Sequence, residues 1–207
     1  MTATDHPDTA RAVVLGGGGS KGAYQIGVWQ ALRELGLGYR VVTGTSVGAL
    51  NGALMAQEEF DAAYDLWWNM DNARVMEGIP SAAGTLDSRL AVYRAFVREM
   101  VTKGGLDISP LEETIRGILD EEKLRKSGIK YGIVTVDMTS LKPARLFLDQ
   151  MPEGSAADYM IASASCFPAF KPRTIEKARF IDGGYYDNLP VEMAARAGAE
   201  LKEIWAV

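Results

Sequence analysis

Gly44-Thr45-Ser46-Val47-Gly48 has the spacing Gly-x-Ser-x-Gly, a sharp strand-to-helix turn that exposes a serine hydroxyl. A serine so placed attacks carbonyl carbon once a base takes its proton, and the usual base is histidine. The 207-residue chain holds one histidine, His6, in a polar N-terminal stretch with no apolar pattern to dock it. A nucleophilic Ser46 therefore needs another base, and an aspartate is the natural candidate. Asp182 offers itself, because it ends the run Arg179-Phe180-Ile181 and precedes Gly183-Gly184. Both residues are expected at the C-terminal ends of strands, the rim where layered α/β sheets place their ligands. Plainer readings stand beside these. Ser46 suits the N-cap of a helix over 47–56, and Asp-Gly is a common turn.

A second feature is Gly16-Gly17-Gly18-Gly19-Ser20-Lys21-Gly22, between an apolar run and a helical pattern. Backbone N–H groups at such a turn lack intrahelical partners and point outward beside the positive end of the helix dipole. They can cradle a phosphate or the oxyanion of a transition state. Gly17, Gly19 and Gly22 formally match the dinucleotide fingerprint, but the acid it expects about 20 positions on is missing. A phosphate-binding P-loop needs Gly-Lys-Ser/Thr, and Ser20-Lys21-Gly22 fails that pattern. A simple tight turn remains the competing reading.

The elements that must position these residues follow from periodicity. Ala12–Leu15, Arg40–Thr43, Tyr131–Asp137, Ala144–Leu148 and Arg179–Ile181 read as strands. Tyr24, Ile26, Val28, Trp29, Leu32 and Leu35 repeat at helical spacing, with Gly36 as the stop. Residues 59–127 read as mostly helical, with Ser109 capping a helix that has Pro110 in its first turn. Residues 78–88 read as a loop, and helices are expected near 155–164 and 190–197. Strands alternating with helices predict a layered α/β fold with a largely parallel sheet. Residues 1–10 are expected to be disordered and 11–207 to form one domain. Glu203–Val207 reads as a strand just beginning, as if the natural protein continued.

Composition is that of an ordinary globular domain, 47% hydrophobic and 24% charged. A net charge of −5 without a Lys/Arg-rich run argues against a nucleic-acid partner. Cys166 is the single cysteine, so no intrachain disulfide forms, and it reads as a small buried residue. No cluster has metal-ligand spacing, so neither metal nor cofactor is expected. With neither a signal peptide nor a spanning helix in the pattern, the expected location is the cytoplasm, at most peripheral to a membrane. Adjacent Trp67 and Trp68 point about 100° apart on a helix, so one is expected outside. Asp137 and Asp187 read as turn or strand-end residues, and Asn188 as a helix N-cap before Pro190.

Three motifs in order, Gly17–Gly22, Gly44–Gly48 and Asp182–Gly184, resemble the patatin-like phospholipase family of lipid acyl hydrolases. Ala162–Pro168 and Tyr185–Val191 resemble that family's segments around its catalytic aspartate, and the likeness covers nearly all of 11–207. The resemblance implies a three-layer α/β/α fold with a mostly parallel central sheet. It implies Ser46 as nucleophile, Asp182 as its base, and the Gly17, Gly18 and Gly19 amides as the oxyanion hole. Lys21 would brace the loop, while Gly22, Gly44, Gly48, Gly183 and Gly184 support the motifs. The substrate implied is a phospholipid or lysophospholipid, with the 58–128 region and the 78–88 loop bordering the acyl pocket. Acyl transfer to another acceptor, and lipid binding without turnover, remain alternatives.

Overall fold

Apolar, β-branched runs between glycines form the centre of a sheet whose neighbours are set by connection length. In the computed structural model, residues 10–77, 86–103, 105–198 and 200–207 are described. The expected disorder of 1–10 falls almost wholly outside them, as does His6, and so do residues 78–85 of the expected 78–88 loop. Residues 86–88 open a helix instead.

The strands are β1 (Arg11–Leu15), β2 (Val41–Thr45), β3 (Lys130–Asp137), β4 (Lys142–Phe147), β5 (Arg173–Ile175), β6 (Ala178–Asp182) and β7 (Glu203–Ala206). The helices are α1 (Gly22–Glu34), α2 (Val47–Gln57), α3 (Phe60–Trp68), α4 (Asn72–Val75), α5 (Leu86–Lys103), α6 (Ser109–Ile118), α7 (Glu121–Lys126), α8 (Ala156–Ser163) and α9 (Val191–Ala195). Sheet order is β5-β6-β3-β2-β1-β7, with β4 also paired to β3. β7, β1, β2 and β3 are mutually parallel. β4 and β6 run antiparallel to β3, and β5 antiparallel to β6. Sequence periodicity missed the short β5.

Strand alternation sorts the two faces. Val13, Leu15, Val42, Tyr131 and Ile133 pack with α1, α2 and α8 in the main core. Ala12, Val14 and Val41 turn the other way, onto Ala194 of α9. The result is three layers, one of them thin. α6 lies outside α8, burying Leu111 and Ile115 against Ala157 and Ile161. Its start differs by a residue from expectation. Ser109 is inside the helix, and its N–H donates to the Asp107 carboxylate at 2.8 Å.

The rim argument for Asp182 needs correction. β6 is antiparallel to β2 and β3, so its C-terminal end is not on the same rim by strand direction. The two sites meet because β3 is long. Thr45 pairs with Val134 of β3, and Asp182 pairs with the next residue, Thr135. β6 enters beyond the rim at Phe180, opposite Asp137, and descends to the level of Ser46.

Candidate active site

The turn after β2 is tight in the literal sense. A Cβ on Gly44 would lie 2.2 Å from the Gly48 carbonyl oxygen, and one on Gly48 would lie 2.2 Å from that of Leu15. Only glycine lets α2 start this close to β1 and β2. Between them Ser46 is held at φ 55°, ψ −127°, a conformation that side chains other than glycine adopt at a cost. Ser46 occupies the N-cap position of α2, yet its side chain makes no capping bond. The hydroxyl lies close enough to the Asp182 carboxylate to hold its pKa down.

Asp182 is 7% exposed. Burial raises its pKa above the ordinary aspartate value of 3.8, and the Gly184 N–H and Ser46 hydroxyl pull the other way. Gly184 N–H donates to Asp182 Oδ1 at 2.7 Å, so the Asp-Gly turn is present. Gly183 opens that turn, with its α-carbon face close against the Val134 carbonyl. The Asp182 N–H donates to Ser165 O at 3.0 Å, and Ser46 N–H donates to Ser163 Oγ at 2.9 Å. The last residue of α8 and the segment just after it thus fasten both residues.

The glycine loop lies against the serine. A Cβ on Gly17 would sit 3.0 Å from Ser46 Cβ and 2.5 Å from Asn188 Oδ1. The expectation for its amide is corrected here: Gly17 N–H already donates to Asn188 O at 3.1 Å and cannot serve an oxyanion. Among the described residues, no hydrogen-bond partner is recorded for the amides of Gly18 and Gly19. Gly19, at φ 57°, opens a 3-10 turn ending at Lys21, and Gly22 then packs against Trp67 and Val47. Lys21 N–H donates to Gly18 O at 3.2 Å, and its stem covers Gly18. The Lys21 side chain is exposed.

Several supports escaped the sequence. Asn188 is no N-cap: Pro190 occupies that position of α9, and Asn188 Nδ2 donates to Gly17 O at 3.3 Å. Its amide therefore joins the loop after Asp182 to the glycine loop. Asp187 accepts from Arg145 Nε and Nη2 at 3.0 and 2.8 Å, and its carbonyl accepts from Thr45 Oγ1 at 2.8 Å. On the far side, Gln25 Nε2 donates to Gly16 O at 2.7 Å, and Asn51 links Gln25 to the Trp67 indole. Polar residues buried within helices carry no motif signal, which is why Gln25 and Asn51 were passed over. Cys166 is exposed, not buried, because it lies in the loop after α8. Its Sγ is 3.5 Å from the Tyr185 hydroxyl, and that contact helps push the Tyr185 pKa to about 12. Among the described residues, no group of three or more His, Cys, Asp or Glu is arranged to hold a metal.

Fold and site together define a three-layer α/β protein with a serine presented at a strand-to-helix elbow beside a buried aspartate. A sequence model described as patatin-like phospholipase matches residues 13–195, and the chain belongs to that family. It is 29% identical over 194 residues to mouse patatin-like phospholipase domain-containing protein 7, covering 93% of this chain and 13% of the relative. It is 30% identical over 195 residues to lysophospholipase NTE1 of Yarrowia lipolytica, covering 93% and 12% respectively. The chain thus spans about an eighth of the length of these curated relatives. Among solved structures, VipD from Legionella pneumophila shares the fold, with a TM-score of 0.57 at 20% identity over 95% of this chain and 49% of that one.

Proposed function

We propose that the chain is a serine acyl hydrolase that cleaves carboxylic esters of lysophospholipids, phospholipids or related lipids through a Ser46–Asp182 dyad. The observation that carries this reading is the placement of Ser46. A strained N-cap serine makes no capping bond, and its hydroxyl is near enough to a buried carboxylate to lower that carboxylate's pKa. Membership of the family and the resemblance to a lysophospholipase support lipid esters as the substrate class.

In this mechanism Asp182 takes the Ser46 proton as Oγ bonds to the ester carbonyl carbon. The carbonyl π electrons move onto oxygen, which the Gly18 and Gly19 amides receive. The oxyanion collapses, the ester C–O bond breaks, and the alcohol or lysolipid leaves with the proton held by Asp182. Water then gives a proton to Asp182 and its oxygen to the acyl carbon. Ser46 Oγ leaves, regains that proton, and the fatty acid is released. Each oxyanion donor in such a site contributes about 3 kcal/mol of barrier lowering.

The helices between α2 and β3 border the acyl pocket in this reading. A lipid surface would meet the exposed aromatic side of that region. Tyr64 and Trp68 stack on α3, and Tyr93, Val97 and Val101 form an exposed stripe at four-residue spacing on α5. The test is a fluorophosphonate probe read by intact mass and peptide mapping. One adduct on Ser46, absent in Ser46→Ala and in heat-unfolded protein, is expected. A folded protein that stays unlabelled would favour a lipid-binding role without turnover.

A further inference from the structure

Ser163 is the last residue of α8 and is fully buried. A serine in a helix commonly bonds the carbonyl four residues back, as Ser165 does just beyond α8 with Ile161 O at 2.7 Å. The recorded bonds of the Ser163 hydroxyl leave the helix. It accepts the Ser46 N–H at 2.9 Å and donates to Val134 O at 2.6 Å. An amide can only donate and a carbonyl can only accept, so the two partners fix the direction of the hydroxyl. A residue without a hydroxyl satisfies neither.

Both partners belong to the site. Val134 is the register neighbour of Thr45, which precedes the serine, and its carbonyl also abuts Gly183, which follows Asp182. Ser46 has positive φ, and although its carbonyl accepts from the Ala49 and Leu50 N–H groups of α2 at 2.9 and 3.4 Å, its own N–H lies outside that pattern and needs a partner from elsewhere. We propose that Ser163 is a positioning residue. Its hydroxyl pins the Ser46 peptide to the β3 carbonyl and so sets the direction in which Ser46 Oγ meets Asp182. The proposal rests on the reading of Ser46 and Asp182 as nucleophile and base.

The experiment compares Ser163→Ala with Ser163→Thr, which keeps the hydroxyl, and Tyr39→Phe. Tyr39 donates to Met55 O at 3.1 Å from an equally buried position far from the elbow, so its variant reports the loss of a buried hydroxyl alone. Two quantities are read: steady-state hydrolysis of a soluble p-nitrophenyl ester, and amide hydrogen exchange at Ser46. In Ser163→Ala, kcat is expected to fall about 100-fold with KM within about threefold, the loss typical of a misplaced reacting group. Exchange at Ser46 should quicken at least tenfold, while Ser163→Thr recovers most of kcat and Tyr39→Phe changes neither.

A Ser163→Ala protein with kcat no lower than Tyr39→Phe overturns the proposal, whether or not exchange quickens. Loss of kcat with Ser46 still protected overturns it too. Should wild type itself prove inactive, the hydrolase reading fails first. Exchange then decides alone whether Ser163 pins the peptide: unchanged protection overturns that role, and faster exchange supports it. If Ser163→Ala does not fold, Ser163→Cys, close in shape with a much weaker hydrogen bond, takes its place in every comparison.

Discussion

A carboxylate at 7% exposure, whose burial outweighs the pull of a backbone amide and a serine hydroxyl, is held against its solvation preference. The raised pKa of Asp182 has two measurable consequences. Asp182 must be ionised to accept a proton, so the acid limb of kcat/KM should lie above 3.8, the ordinary aspartate value. Stability follows the opposite sign. A folded-state pKa above the unfolded one means that the folded state holds the proton more tightly. The associated stability is complete below the unfolded value and is lost as pH rises through the folded value. Asp182→Asn should therefore abolish ester hydrolysis yet raise Tm at neutral pH, with the gain fading by about pH 3. A variant less stable than wild type at neutral pH would contradict the desolvation argument. Asn188→Ala should lower kcat about tenfold, about 1.4 kcal/mol of barrier, by loosening the Gly17 peptide. Unchanged kcat would remove Asn188 from the account. Ser46 and Asp182 could be picked out as candidates because glycines stand two residues either side of the serine, two glycines follow the aspartate, and the single histidine, His6, sits in a polar N-terminal stretch. Asn188 could not, since an asparagine two residues before a proline reads locally as a cap, and its partner is 171 positions away.

At the scale of elements, the site depends on an antiparallel strand that sequence pattern alone could not orient. The motifs around β6 were readable, but its direction follows from the β3 overhang and from the short β5 before it. Apolar runs carry no direction. The loop after β6 is then tied down by two strands, through Arg145 of β4 on the Asp187 carboxylate and Thr45 of β2 on the Asp187 carbonyl. Arg145→Met leaves that carboxylate without its fork. The pair is partly exposed, so the cost should be about 1–2 kcal/mol in urea unfolding, below that of a fully buried pair. A change under about 0.3 kcal/mol would mean that the pair is a surface ornament to the loop. The glycine loop is anchored likewise from both sides, by Gln25 on Gly16 and by Asn188 on Gly17.

At the scale of the molecule, one sheet separates a thick helical layer from a thin one. The class of fold was readable because alternating strands and helices leave few topologies. The packing of α3, α5 and α6 was not, since their apolar spacing says that they bury something without saying what. Among the described residues, no helix is long and apolar enough to cross a membrane. Contact with lipid would then be made by side chains such as Trp68, 76% exposed and stacked on Tyr64. Trp68→Ser should weaken co-sedimentation with anionic phospholipid vesicles severalfold and leave hydrolysis of a soluble ester unchanged. Equal vesicle binding would place the lipid-facing surface elsewhere. The central claim is tested most directly by hydrolysis of a short p-nitrophenyl acyl ester by wild type, Ser46→Ala and Asp182→Asn, all shown to be folded. The dyad predicts turnover in wild type and none above background in either variant. Turnover that survives Asp182→Asn would contradict it, because another group would then be taking the serine's proton.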